Sequence, residues 1–531
     1  MFTTRLFELM AHWVDTRSFL VFALVLVVAR LAIAFALRMS RLPPGPWGLP
    51  FVGYLPFLKA DAHIQFERLA KKYGGVFSLK LGNQFVVVLS DYKIIRDTFK
   101  RDDCTGRPHT EFSTILQGYG IVNSDGKLWK DQRKFLHEKL RKFGMNYSGQ
   151  GKYQMAARIM KEVEFFLRSL VKEKHTDTDL NPILCTSISN VVCTLLMSVR
   201  FDQKDAQFQR FMQLFEEGFR LFGSLSYANF FPIMRYLPGL QTVKKKIEKN
   251  RNETAAFFQQ KVDSHRESFD RGNIRDLLDN YLLEIEDAKE AGNDSELFEG
   301  KQHDRQLQQI IADIFTAGME STKTTLLWSI IYMLHEPEVA KKVQKELDDV
   351  VGRHRLPGLE DRPFLPYTEA AILETLRLSS VVPLGTTHSP KKDIKLEGYT
   401  IPANSHVIPL LYAVHMDPNL WDEPEAFKPE RFLTAENKIF CPDYFLPFGV
   451  GRRMCLGAVL ARLELFQFFA SFMHTFHARV PEDCPPPSLR PNIGVTLTPE
   501  HFRVSLTQRP LQDSSLEFLN SAPGVRSVGA H

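Results

Sequence analysis

Hydrophobic and polar positions follow two different rhythms along this chain, and the changes of rhythm mark its elements. From Phe19 to Leu37 every residue except Arg30 is apolar, a run of 19. Roughly 20 apolar residues cross a bilayer as a helix, so the run predicts a transmembrane anchor. Arg30 lies past its middle and can snorkel toward the surface. Arg38 and Arg41 follow at once, which places what comes next on the cytosolic side. Ala32-Ile33-Ala34 also looks like a signal-peptide cleavage site, so a cleaved leader is the rival reading. The late start of the run and Arg30 just before that site favour the anchor. Leu42-Pro43-Pro44-Gly45-Pro46 comes next, where three prolines remove donors and fix φ. This predicts a stiff, non-helical spacer holding a globular domain off the membrane.

The pattern then turns to a period of two. Val76–Leu81, Gly82-Asn83 and Phe85–Leu89 predict a β-hairpin. From Lys127 to about residue 380 the period is mostly helical. Asp304–His335 is a long helix with its stop at Pro337. Strand-like pieces return at Thr400-Ile401 and at Val407–Leu410, and Ala458–His474 is helical again. Leu511–His531 is polar with Gly, Ser and Pro, which predicts a loose tail. No linker or internal repeat divides the middle. The chain therefore divides into an N-terminal lumenal segment (1–18), an anchor (19–37), a proline-rich hinge (38–50), one catalytic domain (51–510) and a tail (511–531). That domain is mainly α with a smaller β-rich region.

Composition adds exclusions. With 531 residues, 44% of them hydrophobic, a large core is available, and a net charge of +5 is mild. No basic run is interleaved with aromatics, so nucleic acid is not an expected partner. The six cysteines form no C-x-x-C pair and have no zinc-finger histidines, which fits free thiols in a reducing compartment. Sequons at Asn146, Asn252 and Asn293 matter only if the domain faces a lumen.

The chemistry concentrates in Phe448-Gly449-Val450-Gly451-Arg452-Arg453-Met454-Cys455-Leu456-Gly457. Its glycines let the backbone curl so that N–H groups point at one sulfur. The helix beginning near Ala458 brings its positive end close, which favours a thiolate. The plain alternative is a Gly-rich turn around a structural cysteine. The loop matches F-x-x-G-x-R-x-C-x-G at every fixed position, and so resembles the haem-binding signature of the cytochrome P-450 superfamily. The likeness runs from about Pro43 to Leu506.

That resemblance implies the P-450 fold, with a long central helix over a haem b whose iron is held by Cys455. Glu374 and Arg377 form E-x-x-R, three apart on a helix face. Alone this is weak, because such pairs are usually solvated. The family makes them, with Arg431 of Pro429-Glu430-Arg431-Phe432, a buried structural triad. Trp129 and Arg133, four apart, can both donate to an anion. With His388, Phe448, Arg453 and Gly457 they are implied to bind the cofactor, although many family members carry arginine where His388 stands. The basic stretch Lys127–Lys142 is, in this family, the face that docks NADPH–cytochrome P-450 reductase, the source of electrons. Cytochrome b5 and membrane lipid are further implied partners.

Ala317-Gly318-Met319-Glu320-Ser321-Thr322 falls mid-way along the long helix. Glycine there costs about 1 kcal/mol relative to alanine, so it needs a reason: close approach of a ligand, or tight helix packing. The family's A-G-x-[DE]-T-[TS] motif favours the ligand. It makes Glu320 and Ser321 the acid–alcohol pair that delivers protons during oxygen activation, with Thr322 a possible stand-in. Serine stands where threonine is usual and lacks the methyl that packs and orients the hydroxyl. A leakier relay is the expectation.

Substrate is the least determined. The resemblance implies an apolar pocket with Ala317, Val381, Val382, Leu384 and Val495 near the haem. Phe211, Phe215, Phe219, Phe222, Phe230, Phe231 and Tyr236 read mostly as core or membrane-dipping surface. Asn229–Pro232, Arg235–Gly239 and Pro383–Gly385 resemble the microsomal steroid- and drug-metabolising branch. Within it, the arthropod ecdysteroid 26-hydroxylases, which inactivate a moulting hormone, are the nearest likeness. The implied activity is insertion of one oxygen atom of dioxygen into a lipophilic C–H bond in the endoplasmic reticulum membrane. Fatty-acid or xenobiotic hydroxylation remains an alternative. So do a peroxide isomerase, against which Glu320-Ser321 argues, and a non-catalytic haem sensor or steroid-binding protein.

Overall fold

The computed structural model describes residues 16–509 except 47, 146–148, 173–176, 232–233 and 235. The start of the N-terminal segment, the tail, Asn146, Pro232, Arg235 and the side chain of Phe222 lie outside the described residues. The apolar run forms α1, Thr16–Met39. Phe19, Leu20, Phe22 and Leu24 on it are 60–62% exposed. Among the described residues of α1, the apolar side chains from Phe19 to Val28 are thus largely uncovered by protein.

The proline segment is non-helical, as expected, and it is also tied to the sheet. The Pro43 carbonyl accepts from Ser78 Oγ at 2.7 Å, and the Pro44 carbonyl accepts from the Ser78 N–H at 2.7 Å. Prolines cannot donate, but their carbonyls remain acceptors. The segment is therefore docked on the first strand and is not a free spacer.

The hairpin forms where the alternation predicts it, from β1 (Val76–Leu81) and β2 (Gln84–Leu89). They pair antiparallel with Leu81 opposite Gln84. The later strand-like pieces become β3 (Ile394–Leu396) with β4 (Tyr399–Ile401), and β5 (His406–Pro409). β5 joins the hairpin in parallel to β2, giving the order β1-β2-β5. Four short strands close the domain. They are β6 (Phe476–Arg479), β7 (Pro491–Ile493), β8 (Leu497–Pro499) and β9 (Ser505–Gln508), paired β6 with β9 and β7 with β8.

Seven more helices carry the argument. They are α2 (Gly126–Lys142), α3 (Gln150–Lys172), α4 (Leu180–Met197), α5 (Ala206–Phe230), α6 (His303–His335), α7 (Pro366–Ser379) and α8 (Ala458–Thr475). α4 is long and apolar enough to cross a membrane, yet it is 78% buried and serves as a core helix. α6 ends at Glu336, whose φ of −118° and ψ of 67° leave the helical region before Pro337 starts the next helix. A residue before proline is pushed out of the α region, so the predicted stop is in place. Phe211 on α5 is 2% exposed and lies 5.0 Å, centroid to centroid, from Phe315 on α6. Phe211 is thus core. Tyr236, at 67% exposure, is surface.

The triad assembles. Arg377 meets Glu374 through Nε and Nη2, each at 2.7 Å, and Arg431 Nε reaches the same carboxylate at 3.0 Å. The Lys428 N–H adds a fourth donor at 2.9 Å. The side chains of Glu374 and Arg377 are wholly inaccessible. Removing one partner of a buried charge network leaves the others uncompensated, at about 3–5 kcal/mol. Glu374→Leu is therefore expected to lose stability of that order. Thermal unfolding of the purified variant checks this, and an unchanged transition would show the triad dispensable.

Candidate active site around Cys455

The cysteine loop is curled by local constraints. Gly451 has φ +81°, and a Cβ there would stand 2.1 Å from the Phe99 carbonyl oxygen. Only glycine fits such a position. The Cys455 N–H donates to the Phe448 carbonyl at 3.0 Å, closing the turn. The ring of Phe448 lies under the guanidinium of Arg462 at 4.9 Å. Cys455 keeps accessible surface while protein surrounds it on almost every side, which makes it part of an internal wall. Burial pushes its thiol up, and the Gly457 N–H and the Arg133 cation pull it partly back. A thiolate there is favoured only when a further cation meets the sulfur.

Beside it the cations crowd. Arg453 donates to the carbonyls of Thr105 (2.9 Å), Ile121 (3.3 Å) and Ser124 (2.7 Å). Its guanidinium also lies 4.0 Å from the ring centroid of Trp129. Arg133 Nη2 donates to the Met454 carbonyl at 2.6 Å. The sequence reading missed a third cation. Arg107 donates to the carbonyls of Val122 (3.0 Å) and Thr387 (2.7 Å). Burial first, then repulsion from Arg107, lowers Arg453 to about 8. Burial and then Arg133 lower Arg107 to about 10. Asp125 only partly offsets this for both. The cluster is short of negative charge.

His388 enters on a condition. Its Nδ1 lies 2.7 Å from the Cys104 carbonyl oxygen, which can only accept, so Nδ1 carries the proton. Burial, with Arg107 and Arg453, lowers its pKa to about 3. Donating to an anion through Nε2 requires a second proton, which only a nearby negative charge would hold.

On α6, Ser321 Oγ donates to the Ala317 carbonyl at 2.7 Å, one turn back. Ala317 itself keeps accessible surface in mid-helix. Gly318 faces elsewhere. A Cβ on it would stand 3.1 Å from Val192 Cγ2 on α4, so close helix packing accounts for this glycine, and the ligand reading is not needed. Thr322 also turns away, being 2% exposed and donating to Glu464 Oε2 on α8 at 3.2 Å. With its hydroxyl committed to Glu464 in the core, Thr322 is a poor stand-in. Glu320 pairs with Lys323 at 2.8 Å.

The expected pocket residues come from three segments. The Leu497 N–H donates to the Val381 carbonyl at 2.9 Å, which brings the Val381–Leu384 stretch against the β7–β8 turn. Val381 is 8% exposed, Val382 and Leu384 are half-buried, and Val495 at the turn is 45% exposed.

A sulfur that needs a cation and a cation cluster that needs a dianion define a haem-thiolate protein. Haem b supplies both, as iron and as two propionates. A sequence model of the cytochrome P450 family matches residues 43–506. The chain is 55% identical over 494 residues to Cytochrome P450 18a1 of Drosophila melanogaster, covering 93% of this chain and 91% of that relative. It is 34% identical over 505 residues to Cytochrome P450 2U1 of Homo sapiens, covering 89% and 90%. It is 37% identical over 482 residues to Cytochrome P450 2B19 of Mus musculus, covering 88% and 94%. The chain belongs to the cytochrome P450 family. It is a haem-thiolate monooxygenase that takes electrons from NADPH through a reductase and acts on a lipophilic substrate.

Two outcomes follow. Gly451→Ala is expected to abolish thiolate ligation of the haem, read from the spectrum of the reduced carbon monoxide complex. A normal spectrum would show that the loop does not need its left-handed turn. Burial raises the Glu464 carboxyl from 4.5 to about 8. A raised folded-state value gives a contribution present below 4.5 and lost as pH climbs toward about 8. Glu464→Gln, which never ionises, is therefore expected to gain stability over the parent protein across that interval. A constant difference in thermal stability from acid to neutral pH would overturn the assignment.

Proposed function

We propose that Cys455 would hold the haem iron through its sulfur and that Arg107, Trp129, Arg133, His388 and Arg453 would hold the propionates. Phe448 and Gly457 shape the cysteine loop, and Glu374, Arg377 and Arg431 brace it from below. When bound, the haem activates dioxygen for insertion of one oxygen atom into a C–H bond. Ser321 holds a proton at Oγ on the accessible Ala317 face, and Glu320, the preceding residue, is its carboxylate partner in the relay. The walls at Ala317, Val381, Val382, Leu384 and Val495 exclude water and orient an apolar substrate.

The substrate proposed is an ecdysteroid, hydroxylated at the terminal side-chain carbon numbered 26. The observation that carries this is the 55% identity to an insect P450, against 34% and 37% for the mammalian relatives above. The test is reconstitution with reductase and NADPH on an ecdysteroid, a fatty acid and a xenobiotic in parallel. Terminal hydroxylation of the ecdysteroid, in preference to the others, is expected. Preferred turnover of the fatty acid or xenobiotic would replace the assignment.

We place the protein in the endoplasmic reticulum membrane, held by α1 with its catalytic domain in the cytosol. The uncovered apolar surface of α1 supports the anchor, and Arg38 and Arg41 support the orientation. Glycan on Asn146, Asn252 or Asn293 would overturn that orientation. The basic face of α2, with Lys130 at 55% and Lys142 at 64% side-chain exposure, suits an acidic redox partner, reductase or cytochrome b5.

Ser321→Ala is expected to keep NADPH consumption while product per NADPH falls, on the order of 10²-fold. Ser321→Thr should tighten coupling above the parent enzyme. Unchanged coupling in the alanine variant would remove Ser321 from the relay.

A further inference from the structure

Lys323 is one turn beyond Glu320 on α6, and its environment is unusual for a lysine. Its side chain is 11% exposed, that of Glu320 is 14% exposed, and Nζ lies 2.8 Å from Glu320 Oε2. Burial alone would lower a lysine, yet Lys323 is raised, because Glu320 foremost, then Cys185 and Glu216, outweigh the lost hydration. The other oxygen, Glu320 Oε1, lies 3.3 Å from Thr324 Oγ1 and 3.5 Å from Thr496 Oγ1. Thr496 follows Val495 in the β7–β8 turn. The carboxylate is thus held at both oxygens, by a cation and by two hydroxyls, one of them beside a proposed substrate contact.

We propose that Lys323 is a positioning residue for proton delivery. It pairs with the Glu320 carboxylate and holds it in one place, and so sets how tightly, and over what pH range, oxygen activation stays coupled to product. The inference rests on the proposed role of Glu320. Three arguments support it. An ion pair with both partners so enclosed keeps its charges only while it stays intact. The titratable groups facing the pair from neighbouring helices are Cys185 on α4, which burial raises to about 11, and Glu216 on α5. At neutral pH neither supplies a positive charge, so Lys323 has no substitute among them. The β7–β8 turn contributes only the Thr496 hydroxyl.

The test uses the full chain with reductase, NADPH and a turned-over substrate, comparing Lys323→Met, Lys323→Arg, Glu320→Gln and the Lys323→Met/Glu320→Gln pair. Product per NADPH is measured across pH, with substrate-binding spectra and haem content as controls. Lys323→Met is expected to lower coupling several-fold. It should also move the pH midpoint of coupling upward. Lys323→Arg should hold both near the parent values, and the double variant should behave as Glu320→Gln alone. If Glu320→Gln leaves coupling intact, the reading of Glu320 falls. If Glu320→Gln impairs coupling but Lys323→Met leaves the pH midpoint in place, only the Lys323 proposal falls. Equal impairment of the Met and Arg variants, or loss of haem from both, would assign Lys323 to packing and overturn the proposal.

Discussion

A carboxylate taken wholly out of water must find several donors, and on the cysteine side of this protein one carboxylate finds four. Glu374 accepts from Arg377, through two nitrogens, from Arg431 and from the Lys428 N–H. The arginines then bring in distant backbone. Arg377 Nη1 donates to the His415 carbonyl at 2.8 Å, and Arg431 Nη1 donates to that of Asp422 at 2.8 Å. From His415 the constraint passes on. Its Nε2 accepts from the Leu446 N–H at 3.1 Å, so Nδ1 carries the proton that Ser380 Oγ receives at 2.9 Å. Burial lowers this imidazole to about 3, which keeps it in that neutral form. Leu446 is two residues before Phe448, so the place where the cysteine loop starts follows from how one acid is satisfied.

The distal side is tied to the same loop by a different device. The segment 120–124 runs between α6 and the cysteine loop, and both sides take backbone groups from it. Asp313 on α6 accepts from the N–H groups of Ile121 (2.8 Å) and Val122 (2.9 Å), while Gln306 accepts from that of Gly120 (3.0 Å). The Gly120 carbonyl also accepts from Gln306, at 3.2 Å, but three others go the other way, Ile121 and Ser124 to Arg453 and Val122 to Arg107. Buried backbone groups must all be paired, so this segment cannot shift without breaking contacts on both sides. Ser321 and Cys455 come from separate parts of the chain, and this clamp fixes the distance between their supports.

What could be read from the sequence follows the same division. The cysteine loop was legible because its chemistry is contiguous: the curl, the cation and the sulfur fall within ten residues. The hairpin and α6 were legible because periodicity is local. Arg107 was not, because its partners at Val122 and Thr387 lie far off in sequence and nothing nearby marks it. Gly318 is ambiguous in the sequence, because a glycine in a helix shows that space is needed without showing on which side; Val192 on another helix fills one side. For Thr322 the missing information is simpler. Its direction follows from helical rotation, but that Glu464 waits there is a tertiary fact. The prolines were read for the donors they lack, whereas their carbonyls settled the matter.

The acids around α6 show why type and spacing alone do not define a site. Asp313 has two backbone N–H groups and a glutamine, and burial still raises it. Glu464 has one hydroxyl, with Oε1 left without a partner among the described residues, and burial raises it to about 8. Glu320 alone faces an ammonium group, at one carboxylate oxygen, with hydroxyls at the other. A carboxyl can take part in a proton relay only when it is free of other ties and a hydroxyl stands within reach. Asp313 is committed to holding backbone, and Glu464 is held neutral in the core. Among these three, the supported charge falls on the residue next to Ser321, and the cation that supports it is the one feature here that no motif in the sequence announces.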